Sequence, residues 1–121
     1  MSERGWIGVD LDGTLAHYER WPGNDTIIGA PVKPMVDRVK VWLDKGLNVK
    51  IFTARAFSLQ TGEPLWHVHA AITAWSIQHI GFSLPITNRK DSLMIELWDD
   101  RCIAVEPNTG RVMGASREGR L

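Results

Sequence analysis

The stretch Trp6-Ile7-Gly8-Val9-Asp10-Leu11-Asp12-Gly13-Thr14-Leu15 begins with four apolar or small residues and then breaks on two aspartates. A short apolar run bounded this way predicts a buried strand over Trp6 to Val9 whose C-terminal end delivers Asp10. The same pattern recurs twice. Leu47-Asn48-Val49-Lys50-Ile51-Phe52 predicts a second strand ending at Thr53, and Leu93-Met94-Ile95-Glu96-Leu97-Trp98 a further one ending at Asp99-Asp100. Leu84-Pro85-Ile86-Thr87 predicts a short strand or connector.

Between these runs the periodicity changes. Apolar residues at 35, 36, 39, 42 and 43 keep to one helical face, Pro34 suits the first turn, and Lys45-Gly46 supplies a cation and a stop. Pro64 is expected to open a second helix with Leu65, Val68, Ile72 and Trp75 on one stripe and Gly81 beyond its end. Residues 13–31 lack helical periodicity and are rich in turn formers, which predicts a loop or small hairpin able to act as a flap. A second loop is expected over 54–63. Cys102 to Val105 and Arg111 to Met113 flank Glu106-Pro107-Asn108-Thr109-Gly110, the pattern of a C-terminal β-hairpin, and 114–121 reads as a loose tail.

Strand, helix, strand, helix, strand predicts an α/β fold with a mostly parallel sheet covered by helices. Ligands bind beyond the carboxyl ends of the strands in such sheets. Here those ends carry Asp10, Thr53 and Asp99. Asp10, Asp12, Asp99 and Asp100 would therefore place up to four carboxylates on one edge. At about 4 Å each like-charge pair repels by about 1 kcal/mol in water and about 4 kcal/mol at an effective dielectric of 20. Such a group needs a cation, or some of its members must stay protonated. All-oxygen ligands with room for water and phosphate suit Mg²⁺.

Composition sets the outer limits. A chain of 121 residues suits one compact domain, 1–121, and can bury roughly two thirds of its unfolded surface. With 14 basic and 14 acidic residues the net charge is +0, so no bulk charge holds a polyanion. The single cysteine, Cys102, has no internal partner for a disulfide and is expected to be a small buried apolar residue. Met1-Ser2-Glu3-Arg4-Gly5 followed by a run broken at Asp10 has the form of neither a signal peptide nor a membrane span, so a cytoplasmic protein is expected.

Asp10-Leu11-Asp12-Gly13-Thr14-Leu15 after an apolar strand resembles the first motif of the haloacid dehalogenase (HAD) superfamily. Thr53 is similar to the second motif, Lys90 in Asn88-Arg89-Lys90-Asp91 to the third, and Asp99-Asp100 to the acidic fourth in its adjacent-pair form. The motifs run in order from residue 10 to residue 100. The resemblance implies a three-layer Rossmann-like fold with helices on both faces of the sheet. It implies a phosphatase in which Asp10 is the nucleophile and Asp12 the acid and base. Thr53 and Lys90 would bind the phosphoryl group, with Arg89 a rival to Lys90. Mg²⁺ would be held by Asp10, the main-chain carbonyl of Asp12, and Asp99 or Asp100.

An acidic residue at position 12 resembles the phosphatases and phosphomutases of that superfamily, and the chain has no room for a large cap. A capless or minimally capped phosphatase is therefore expected, acting on a phosphorylated substrate: a small molecule or an accessible terminal phosphate. Nucleic acid enters only as such a substrate, no membrane is involved, and a homo-oligomer stays open. Arg55 is placed either at the leaving group or on a surface carboxylate. His17, Tyr18 and Trp21, in the loop after the first motif, either pin that loop to the body or stack on a base or sugar. His67, His69 and His79 do not have zinc spacing.

Two rival functions remain. One is a catalytically silent HAD-like phosphate- or nucleotide-binding module. The other is a dinucleotide oxidoreductase, disfavoured because no glycine-rich fingerprint follows the first strand.

Overall fold

A computed structural model describes residues 4–114 of the chain. The elements are β1 (Trp6–Asp10), α1 (Lys33–Asp44), β2 (Asn48–Phe52), α2 (Trp66–His79), β3 (Ile86–Thr87) and β4 (Met94–Trp98). The four strands form one parallel sheet in the order β3-β2-β1-β4. The fold is α/β with an all-parallel sheet, as the alternation of periods predicts.

Register sets the two faces. Ile7 pairs with Val49 and Val9 with Ile51, so all four point the same way. They form one core with Met35, Val36 and Val39 of α1 and Val68, Ile72 and Trp75 of α2. Both helices therefore pack on a single face. Chain topology requires this: β1, β2 and β3 follow one another in one direction across the sheet, and right-handed crossovers then fall on one side.

The expectation of helices on both faces is not met among the described residues. Residues 88–93 alone join β3 at one edge to β4 at the other, and six residues leave no room for a helix on the way. They pass instead over the N-terminal end of β1. Trp6 Nε1 donates to Asp91 at 2.9 Å, and the Trp6 main-chain N–H donates to Leu93 at 3.0 Å. Trp6 lies over Gly8, where an added Cβ would be 3.0 Å from the indole, and Lys50 Nζ sits 4.5 Å from the indole centroid. The buried Trp6 indole thus covers Gly8 on the face opposite the helices.

The helices end as their sequences direct. Gly46 adopts φ +81°, and the N–H of Leu47 returns to the Trp42 carbonyl at 3.0 Å, a glycine stop. The second helix begins at Trp66 rather than at Pro64, which pairs with Phe57 in an isolated antiparallel bridge. Past β4 the expected C-terminal hairpin forms in short form, with Val105 bridged to Val112 and flanked by Glu106 N–H to Arg111 at 2.7 Å and Met113 N–H to Ala104 at 2.9 Å, outside the four-stranded sheet. Cys102, expected to be buried, is exposed because it follows a turn at 99–102 instead of lying on a packed strand. Beyond Gly114 the tail expected over 114–121 lies outside the described residues. No described helix is long and apolar enough to cross a membrane.

Candidate functional site

β1 and β4 are adjacent and parallel, so their C-terminal ends deliver Asp10 and Asp99-Asp100 to one edge. Asp10, Asp99 and Asp100 each present a carboxylate oxygen, all within 4.8 Å of one another. They line a cavity of about 340 Å³ together with Asp12, Tyr18, Phe52, Thr53, Ala54, Arg55 and Arg101. Burial pushes the Asp10 carboxyl up to about 8, assisted by a hydrogen bond with Asp100 and by repulsion from Asp99, Asp100 and Asp12. A buried carboxyl among three others holds its proton unless a cation takes the proton's place.

The turn after β1 is shaped for this cluster. Gly13 has φ +92°, and a Cβ there would stand 2.6 Å from an Asp100 oxygen, so only glycine lets the turn pass this carboxylate. Thr14, nearly buried, places its hydroxyl 3.4 Å from Asp10 and 3.2 Å from Asp100 and accepts the Asp100 main-chain N–H at 3.1 Å. Sequence reasoning assigned Thr14 no role. The available signal was its offset of four from Asp10, which lets a turn fold its hydroxyl back onto that carboxylate.

Thr53 is 3% exposed and lines the cavity, its main-chain N–H donating to Thr87 of β3 at 2.9 Å. Asp12 also lines it, with a different partner from the other three carboxylates. Arg55 donates to it from Nε at 3.1 Å and from Nη2 at 2.9 Å, a two-pronged pair, while Nη1 donates to the carbonyls of Asp25 and Ile27. Of the two partners weighed for it from sequence, Arg55 takes a carboxylate, that of Asp12 inside the cavity. It ties a site carboxylate to the 13–31 loop, and its side chain is 5% exposed.

Replacing Arg55 with methionine is expected to destabilise the fold by roughly 2–4 kcal/mol, because it leaves a half-buried carboxylate and two carbonyls without donors. Denaturant unfolding measures this. A change below about 0.5 kcal/mol would show that the pair is screened like a surface contact.

Lys90 is not brought to the cavity, and neither is its rival Arg89; both are exposed. Arg89 is held at the end of β3 by the Thr87 hydroxyl, and the segment then runs to Asp91, which meets Trp6. Arg101, two residues past the Asp99 strand end, is the cation that lines the cavity beside Arg55. The loop over 13–31 closes on itself at a neck, with His17 N–H donating to Ala30 at 2.8 Å and Val32 N–H to Leu15 at 2.7 Å. Tyr18 from this loop reaches the cavity, and Trp21 lies 5.4 Å over the Arg55 guanidinium. The histidines go elsewhere: His67 to Asp25 at 3.0 Å, His69 between Phe57 and Trp66, and His79 onto Trp75.

Comparison of the chain with family models, with curated proteins and with solved structures finds no match. What fold and site define together is an α/β domain with a carboxylate-lined cavity at the C-terminal edge of a parallel sheet.

Proposed function

We propose that this protein is a magnesium-dependent phosphomonoester hydrolase working through an aspartyl-phosphate on Asp10, a small member of the haloacid dehalogenase superfamily whose described residues carry helices on one face of the sheet. The observation that carries the reading is the convergence of Asp10, Asp99 and Asp100 with Thr53 in one cavity at the strand ends.

The donor set fits a hard divalent cation. It is all oxygen and anionic, with an Asp10 carboxyl that burial leaves poorly solvated for its charge. Asp10, Asp99 and Asp100 would hold Mg²⁺, while the Asp12 side chain is taken up by Arg55. Bound there, Mg²⁺ supplies positive charge against the phosphate dianion and keeps the carboxylates ionised.

The chain's own groups divide the rest. An Asp10 oxygen attacks phosphorus, forming the acyl-phosphate P–O bond as the ester P–O bond breaks, and the leaving oxygen takes a proton from Asp12. Water then attacks the same phosphorus, gives its proton to Asp12, and releases inorganic phosphate and free Asp10. Thr53 and Arg101 are positioned to donate hydrogen bonds to the phosphoryl oxygens. Both Asp12 oxygens accept from Arg55, so taking a proton from water requires that one prong of this pair open. Donating to the leaving oxygen requires that one prong of this pair release. Rapid quenching of turnover, followed by mass analysis of the peptide containing Asp10, tests the scheme. A phosphoryl group on Asp10 is expected, and phosphate release with the label on another residue would refute it.

Thr14→Val keeps the shape of the turn but removes the hydroxyl that orients Asp10 and Asp100. Partners of ligating carboxylates are typically worth 10–100-fold, so about that loss in Mg²⁺ affinity is expected by calorimetry. An unchanged affinity would place the cation away from this cluster.

A catalytically silent phosphate-binding module is the second reading. The observation in its favour is the position of Lys90 outside the cavity. Mg²⁺ binding without turnover of any phosphate ester is the result that would select it.

A further inference from the structure

A second cavity, of about 430 Å³, abuts the acidic one and shares Ala54 and Arg55 with it. Its walls differ in kind. Trp21, Phe57, Leu59 and Leu65 are apolar, and Asp25, Ser58 and Gln60 supply the polar edge. Trp21 comes from the 13–31 loop, whereas Phe57 and Leu59 come from 54–63, so two separate loops contribute. Trp21 is 54% and Leu59 95% exposed. Either alone would be unremarkable, since scattered apolar residues are normal on surfaces. Gathered on one concavity beside an acidic site, they make a surface that gains by being covered.

Arg55 joins the two cavities and is committed to neither as a binding group. Its three nitrogens are used by Asp12, Asp25 and Ile27, which fixes the guanidinium as a rigid plane under Trp21. Trp21 thereby has a fixed cationic plane to lie against.

Charge selects among occupants. No lysine lines this cavity, its arginine is already paired, and its carboxylate is Asp25, bonded to His67. A second anionic group would find no free cation there. An uncharged planar ring finds an aromatic face, aliphatic walls and the Gln60 carboxamide for its polar edge. From this we infer that the second cavity is the leaving-group subsite and takes the uncharged aromatic ring of a phosphate monoester, stacked on Trp21 and flanked by Leu59. The inference rests on a phosphate group occupying the acidic cavity, and it names the class of substrate that would place one there.

The ring has two chemical sources, the base of a nucleoside monophosphate and a simple aryl group, and three probes distinguish them. Adenosine 5′-monophosphate, phenyl phosphate and ribose 5-phosphate are titrated calorimetrically with Mg²⁺ into the full-length Asp10→Asn protein, which does not consume them. Stacking on one aromatic side chain is worth about tenfold in affinity or more. At least one ring-bearing ester is therefore expected to bind about tenfold more tightly than ribose 5-phosphate. Adding Trp21→Ala should erase that advantage. Tighter binding of the nucleotide than of phenyl phosphate identifies the base as the ring, and the reverse order identifies a simple aryl group. Leu59→Ser, at a side chain too exposed to threaten folding, should reduce the same advantage in part.

Equal affinity for all three esters, no binding of any, or an advantage that survives both substitutions overturns the subsite. Turnover by the wild-type protein is scored separately. Hydrolysis without ring discrimination keeps the phosphatase reading and ends this one, and discrimination without hydrolysis does the opposite.

Discussion

Replacing Asp10 with asparagine is expected to reduce Mg²⁺-dependent hydrolysis of p-nitrophenyl phosphate by about 10⁴-fold or more, the scale of loss seen when a nucleophile is removed from an intact site. The fold should survive and, under one condition, improve. The affinity of the Asp10 carboxyl for a proton is raised, to about 8, with burial as the leading cause. A neutral amide of the same shape removes the charge that burial disfavours and can still donate to Asp100. In chelator above pH 8 the variant should therefore unfold at higher denaturant concentration than the wild type. A variant that keeps its activity would remove Asp10 from the nucleophile role. A variant that is inactive because it has unfolded would show that the side chain is structural.

The second large effect is the exchange of a proton for a cation. Asp10 titrates near 8 in the folded protein against 3.8 for an ordinary aspartate, so between those limits the folded state holds a proton that the unfolded chain has lost. Stability in chelator must then fall as pH rises from about 4 to 8. The slope is at most about 1.4 kcal/mol per pH unit; solvent reaching the open cavity screens it below that ceiling. Asp91 and Glu106, whose hydrogen bonds from Trp6 and Arg111 hold them below their ordinary values of 3.8 and 4.5, lose their contributions as pH falls through those values, at the acidic edge of this window, and with the opposite sign. Mg²⁺ binds the ionised cluster and so competes with the proton. At a hundredfold excess over its dissociation constant it should add about 2.7 kcal/mol near pH 8, with little effect near pH 5. Thermal unfolding at the two pH values, with Mg²⁺ and with chelator, measures both parts. Superimposable curves at pH 8 would mean that the three carboxylates bind no cation.

The difference between what sequence predicts and what the fold contains has a physical pattern. Asp10, Thr53 and Asp99-Asp100 were legible because each ends an apolar run, and a parallel sheet brings such ends to one edge whatever the loops do. The helix from Lys33 to Asp44 was legible for the same kind of reason, a stripe of spacing three and four with a glycine stop. Lys90 was placed by its order in a resemblance and by no local constraint. Only six residues join β3 to β4, and their path is dictated by Trp6, whose hydrogen bond to Asp91 spans 85 positions and leaves no periodic trace. The Arg55–Asp12 pair spans 43 positions, and Arg101 reaches the cavity through the turn that follows Trp98. Neither leaves a repeating signal. The absence of a second helix layer among the described residues follows from the same count of residues between Thr87 and Met94, a constraint present in the sequence and outweighed by the motif order. Cys102 looked buried by composition, yet the described segment after the Asp99 turn does not rejoin the sheet.

The central claim is that the carboxylate cavity hydrolyses phosphate monoesters with Mg²⁺, and release of inorganic phosphate by the full-length protein tests it most directly. A panel of p-nitrophenyl phosphate, phenyl phosphate, ribose 5-phosphate and nucleoside 5′-monophosphates would be assayed with Mg²⁺ and again after chelation. Release from at least one ester with Mg²⁺, and its loss on chelation, is the expected result. An inert panel while calorimetry shows Mg²⁺ bound, or hydrolysis indifferent to chelation, would contradict it.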